Sequence, residues 1–257
     1  MLHPLFNLNF SGIPIYNILG GTGFVIGLIV FIKNLKALNL SETKKDYLQM
    51  IFGLVALFSL PMANVANWFL FPSILEYPLI NRFEMAGFSF YSGMLSFLIF
   101  SAIFLKIFKY NVYTCINTVI PSLLIFHAFG RVGCSLAGCC YGRPIMPITF
   151  SGLTMDRFPA RETEAILLFI LFFLFQFRIK NNRLVIYLLS YSTIRFFIEF
   201  GRGDDRGILI TSILSPAQIT SIVIFAVTVI YYCFEFYFKK GRMRRIKGRL
   251  YKRSCDK

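Results

Sequence analysis

The sequence predicts an all-α integral membrane protein, a bundle of about seven transmembrane helices with a loop or arm region on its outer face. Three observations carry that reading. Hydrophobic residues make up 56% of the 257-residue chain against 15% charged, a balance wrong for a surface that must face water. Several apolar runs reach about 20 residues, the length that about 30 Å of hydrocarbon demands of a helix. Basic residues gather in the short gaps between those runs and in the tail from residue 239 to 257.

Taken in order, the apolar stretches place spans near 13–32, 47–71, 87–108, 112–129, 164–177, 184–199 and 213–238. The fifth is short, and the fourth and sixth carry polar residues near their ends. No Lys or Arg precedes residue 12 and no small-residue cleavage site follows the first run, so the first helix is expected to stay in the protein. Without repeats or low-complexity linkers, the chain divides into a membrane domain, 1–238, and a basic tail, 239–257.

Lys33, Lys36, Lys44 and Lys45 follow the first span, Lys106 and Lys109 the third, and Arg178, Lys180 and Arg183 the fifth. Those alternate gaps, with the tail, are expected to be cytoplasmic, which places the N-terminus outside and the C-terminus inside. Eight basic residues remain, and all are arginine: Arg82, Arg131, Arg143, Arg157, Arg161, Arg195, Arg202 and Arg206. They fall on the outer side, against the orientation rule, and so require another reason to be there. The net charge of +15 is therefore read as orientation, not nucleic-acid recognition. The tail is expected to lie on anionic inner-leaflet lipid.

Between the fourth and fifth spans a long outer loop, 142–163, contains Pro144, Pro147 and Pro159, which prevent one continuous helix. Its apolar residues, Met146, Ile148 and Phe150 among them, suggest an arm at the membrane interface.

Two motifs carry candidate chemistry. The first runs from His127 through Gly130, Arg131, Gly133, Cys134, Cys139, Cys140, Tyr141 and Gly142 to Arg143. Glycines permit tight turns and close backbone approach, so exposed N–H groups and the arginine forks would together hold a phosphate. The same glycines equally suit a corner where helices pack closely. The second motif places Tyr191, Arg195, Glu199 and Arg202 at steps of four, four and three, on one helix face. An arginine in a membrane helix costs a few kcal/mol, so Arg195 should face the bundle interior with Glu199 as its partner, in a functional site or a structural ion pair.

Together these stretches resemble the signature regions of the prolipoprotein diacylglyceryl transferases. Gly130-Arg131-Val132-Gly133 through Tyr141-Gly142-Arg143 resembles the family's Gly-Arg-x-Gly core and its Tyr/Trp-Gly-Arg end. Tyr191 through Arg202 resembles its Tyr-x-x-x-Arg-x-x-x-Glu-Phe-x-Arg stretch, and Leu214-Ser215-Pro216-Ala217-Gln218 its Leu-Ser-x-x-Gln. Pro14-Ile15-Tyr16, and Pro159 with Glu164, are weaker echoes. The segment 86–93 departs from the pattern, since Tyr91 stands where many members carry a histidine. Cys134 and Cys139 replace polar residues of the family's second segment.

The resemblance implies an enzyme of the bacterial cytoplasmic membrane that moves diacylglycerol from phosphatidylglycerol to the thiol of a lipobox cysteine in a prolipoprotein, with glycerol 1-phosphate leaving and no cofactor. On that reading Arg131 and Arg195 clamp the headgroup phosphate. Arg143 and Arg202 stand nearby, Glu199 orients Arg195, and Tyr191 bonds the same phosphate. Tyr91 is a candidate hydroxyl donor. His127, four residues before Arg131, is either the missing base or a packed polar residue. No metal is expected: there is no Cys-x-x-Cys pair, and adjacent cysteines chelate one ion awkwardly. The rival readings are a phospholipid-binding homologue without catalysis and, with no repeated halves to support it, a transporter.

Overall fold

The computed structural model of the protein describes residues 15–70, 72–79, 81–82, 89–150, 153–204 and 213–255. Its long helices are α1 (Ile15–Lys36), α2 (Glu42–Leu70), α3 (Phe90–Ile107), α4 (Val112–Leu136), α5 (Ala160–Phe177), α6 (Arg183–Phe200) and α7 (Pro216–Cys255). A 3-10 turn, Pro72–Glu76, follows α2, and an antiparallel hairpin of β1 (Pro144–Phe150) and β2 (Leu153–Arg157) joins α4 to α5. Pro14, residues 86–88 and Arg206, all named above, lie outside the described residues, as do the side chains of the basic tail.

Each expected span coincides with one helix. Five are long and apolar enough to cross a membrane: α1, α2 as far as Val65, α3, α4, and α7 as far as Tyr237. The other two, of 18 residues each, hold three charged groups apiece: Arg161, Glu162 and Glu164 on α5, and Arg183, Arg195 and Glu199 on α6. Their charge, not their length, sets them apart, and those charges build the site described below.

Helix α4 is the axis of the bundle. Of its most apolar window 67% is buried, against 17% for α1 and for α7, whose exposed Val25, Ile29, Ile230 and Phe234 form an oily outer surface. At Gly27 the backbone of α1 comes so near α4 that a Cβ would sit 3.0 Å from the Ser122 carbonyl, the small-residue contact by which membrane helices pack. Pro121 lies inside α4, and its missing N–H leaves the carbonyl of Asn117 without its usual donor. Arg183 replaces that donor, giving Nη1 to Asn117 O at 3.4 Å, Nε to Ile179 O at 2.8 Å and Nη2 to Phe175 O at 2.8 Å. One side chain thereby ties α4, the end of α5 and the start of α6.

Two expectations need correction. The fourth span, expected to end at residue 129, continues as α4 to Leu136, because the burial of Arg131, Gly133 and Cys134, with Gly133 against Tyr16, outweighs the weak helix propensity of the two glycines. The outer loop is not irregular throughout: it contains the β1–β2 hairpin, with Phe150 opposite Leu153 and Ile148 opposite Met155. Its register breaks between Pro144 and Ile148, where two prolines have no ladder N–H to give. Helix α7 runs on through residue 239 to Cys255.

Candidate active site

The C-terminal ends of α4 and α6 and the N-terminal ends of α3, α5 and α7 meet at one end of the bundle. The carboxylate at their centre is Glu164, near the start of α5 and fully buried. Its Oε1 lies 3.0 Å from Arg131 Nη2 of α4 and accepts the Tyr191 hydroxyl of α6 at 3.2 Å. Its Oε2 accepts Arg195 Nη1 at 3.2 Å. A buried charge persists only where it is paired and hydrogen-bonded, and Glu164 has two guanidiniums beside it and accepts two hydrogen bonds.

The pairing continues outward. Arg195 Nη2 stands 2.7 Å from Glu199 Oε2, and Arg202 Nε 3.8 Å from the same oxygen. Arg202 then forks onto Asp204, with Nε on Oδ1 at 3.0 Å and Nη2 on Oδ2 at 2.9 Å. Charge alternates along Arg131, Glu164, Arg195, Glu199, Arg202 and Asp204, three guanidiniums against three carboxylates. Burial pushes the Asp204 carboxyl up, against the opposing pull of Arg202. The steps of four that put Tyr191, Arg195 and Glu199 on one face of α6 aim all three at this run.

Capacity remains within it. A guanidinium has five N–H donors, and the buried Arg131 Nε and Arg202 Nη1 have no hydrogen-bond partner among the described residues. Both ring nitrogens of His127 share that condition. His127 lies one turn before Arg131 on α4, its Nε2 3.8 Å from Glu164 Oε1, too far for a hydrogen bond. Phe90 stacks on its ring and Tyr191 meets it edge-on, centroids 5.0 Å apart. Tyr91, on the first turn of α3, shares a short hydrogen bond with Ser221 of α7, and its ring lies 5.4 Å from that of Tyr191.

Gly130 and Gly133 lie inside α4, where the helix ladder uses their N–H groups, so they form no phosphate-binding turn. Gly133 packs on Tyr16 instead. Gly142 bridges to Arg202, and the backbone of Phe158 lies so near that a Cβ on Gly142 would sit 1.9 Å from Phe158 O. Beside it Arg143, exposed at the rim, donates its own N–H to Gly201 O at 2.8 Å and Nε to Arg202 O at 2.9 Å. Every residue singled out from the two motifs thus falls in or beside one cluster.

Sequence reasoning did not place Glu164 in the site, nor Asp204. The available signal for Glu164 was a carboxylate at the head of an apolar run, which a membrane penalises unless a cation meets it.

A sequence model of the family described as Prolipoprotein diacylglyceryl transferase matches residues 4–234, a stretch that contains the whole charged run. The chain belongs to that family. It is 31% identical over 163 residues to a phosphatidylglycerol–prolipoprotein diacylglyceryl transferase of Clostridium tetani, 58% of this chain and 65% of that one. To the protein named as transferase 2 in Clostridium perfringens it is 31% identical over 154 residues, 55% of this chain and 56% of the other. A Leptospira interrogans relative is 26% identical over 236 residues, 77% of this chain and 74% of its own. The first two matches thus span less than two thirds of the relatives' length.

Proposed function

We propose that this chain transfers the diacylglyceryl group of phosphatidylglycerol to the lipobox cysteine of a prolipoprotein. The cysteine sulfur attacks the phosphate-bearing carbon of the acylated glycerol. A C–S bond forms, the C–O bond breaks with its electron pair going to the phosphate oxygen, and glycerol 1-phosphate leaves. The thiol proton passes to a base or to the leaving phosphate. The observation that carries the proposal is the buried Arg131–Glu164–Arg195 bridge at one end of an apolar bundle, with donors left over on Arg131 and Arg202. Negative charge builds on the phosphate as the C–O bond breaks, and preorganised guanidiniums stabilise it without having to reorganise.

In this reading Arg131 and Arg195 hold the headgroup phosphate with help from Tyr191. Glu164 and Glu199 fix the two guanidiniums, Arg202 and the exposed Arg143 complete the cationic rim, and Gly142 sets the rim's spacing. Tyr91 is a positioning residue for Tyr191. His127 is the base, its ring nitrogens having no hydrogen-bond partner among the described residues. A nearby guanidinium also raises the thiolate fraction of the incoming cysteine, lessening the demand on that base.

All seven helices cross the membrane, with the charged groups of α5 and α6 facing inward. The site end faces outward and the lysine-rich end faces the cytoplasm, where the tail meets anionic lipid. The exposed Met146 and Ile148 of the hairpin rest in the interface as an arm.

The test is a turnover assay with purified protein, phosphatidylglycerol and a lipobox peptide, following glycerol phosphate and peptide mass together. Both change with the wild type and neither with Arg195→Ala. Lipid binding without turnover by the wild type defeats the transferase reading.

A further inference from the structure

Three cysteines stand beside the charged run, and the proposed reaction gives them no part. Cys134 ends the buried face of α4, and Cys139 and Cys140 lie on the turn that follows. Their spacing argues against a shared ligand because neighbouring side chains usually diverge. Here the backbone overcomes that. Gly138 and Cys140 both adopt left-handed φ, 72° and 58°, and fold the turn back on the helix end. For a residue with a Cβ that conformation costs about 1 kcal/mol or more, strain that persists only where the surroundings hold it. They do: from α5, Arg161 Nη1 donates to Cys139 O at 2.8 Å and to Cys134 O at 3.3 Å, pinning both ends of the turn. As a result the three Sγ atoms all lie within 4.8 Å of one another.

We propose that Cys134, Cys139 and Cys140 bind one soft d10 metal ion, Zn²⁺ or Cu⁺. Metal–sulfur bonds of about 2.3 Å put the sulfurs of such a site roughly 4 Å apart, which small side-chain rotations reach from the observed spacing. Three thiolates with either ion make an anionic complex. Arg161 touches the turn directly and Arg131 lies one helical turn before Cys134, so cations stand ready to balance it. Cys139 is exposed and provides the entry path and an open fourth position, whereas Cys134 is buried. The bound ion staples the turn that leads into Tyr141, Gly142 and Arg143, and thus fixes the strand of backbone that pairs with Arg202. The site is structural and does not depend on the transferase reading.

The test uses the full-length protein in detergent, reduced, stripped with a chelator and kept anaerobic. Co²⁺, a spectroscopic stand-in for Zn²⁺, is titrated in one arm, and Cu⁺ against a chromophoric competitor in the other. One arm or both should saturate at one ion per chain, Co²⁺ with sulfur charge-transfer and tetrahedral d–d bands. Thiol alkylation at the three cysteines should slow about tenfold or more on loading, while Cys233, exposed on α7, reacts as before. Cys139→Ser and Cys140→Ser should each weaken binding about tenfold or more, and Cys233→Ser should not change it. Cys139→Ser alters an exposed side chain, so it remains informative if Cys134→Ser fails to fold. Saturation in neither arm, binding that survives replacement of all three cysteines, or a Co²⁺ spectrum without sulfur bands overturns the proposal. So does a disulfide between any two of them in protein isolated from membranes without reductant. No arm measures turnover, so its failure is distinct from failure of the transferase reading.

Discussion

Arg131 Nη2 lies 3.0 Å from Glu164 Oε1, an ion pair that fastens the axial helix α4 to the start of α5 inside the bundle. Glu164 also carries Arg195 on its other oxygen, so one buried carboxylate holds two guanidiniums that would otherwise repel. Replacing it with glutamine leaves both cations buried and short of a counter-charge. Glu164→Gln should lower turnover about 100-fold or more and cost on the order of 3 kcal/mol of stability. Turnover together with thermal unfolding in detergent checks this, and an unaffected variant would remove Glu164 from the site.

Arg195 meets Glu164 with Nη1 and Glu199 with Nη2. A lysine supplies the charge but has a single nitrogen and cannot span two carboxylates at fixed angles. Arg195→Lys should therefore retain less than about a tenth of wild-type turnover, the loss lying in kcat more than in KM. Steady-state kinetics against phosphatidylglycerol settles it. Turnover near wild type would mean that charge alone is needed there.

Much of this was legible in advance. All seven helices were readable as apolar runs, and the recurrence of Tyr191, Arg195 and Glu199 every four residues already placed them on one face. Two things were not. Glu164 lies 33 residues beyond Arg131 in sequence, and only the return of the chain through the hairpin brings it back to α4; a pattern along one helix says nothing about such a partner. Gly130 and Gly133 suggested a turn because glycine is a poor helix former, yet burial of Arg131, Gly133 and Cys134 on the same stretch of α4 keeps it helical. The cysteines belong with these cases, since their meeting depends on two left-handed residues that spacing does not reveal.

Tyr91 and His127 invite opposite expectations. Tyr91→Phe loses the bond to Ser221, about 1 kcal/mol, and leaves the ring against Tyr191, so turnover should stay within a few-fold of wild type. His127→Asn keeps a polar side chain but removes the proposed base. The acidic limb of the wild-type pH–rate profile should be absent in His127→Asn and present in Tyr91→Phe. The same limb in both variants would assign the base elsewhere.

Gly130 and Gly142 separate two demands that look alike in sequence. At Gly130 nothing lies within 4 Å of an added Cβ, and the residue sits inside a helix. Gly130→Ala should gain up to about 1 kcal/mol and leave turnover intact. At Gly142 the added atom would meet Phe158 O at 1.9 Å and its carbonyl carbon at 2.8 Å, both rigid backbone, with Gly201 O at 3.1 Å on the other side. Relief requires the strand from Tyr141 to Arg143 to move off Arg202, which breaks the bonds from Arg143 N to Gly201 O and from Gly203 N to Tyr141 O. Gly142→Ala should therefore lose most turnover and unfold several degrees lower. Arg202 and Arg143 would shift with that strand, so the apparent affinity for phosphatidylglycerol should fall along with kcat. Equal tolerance of alanine at the two positions, in thermal unfolding and in kinetics, would show that the pairing of this turn with the end of α6 does not set the rim.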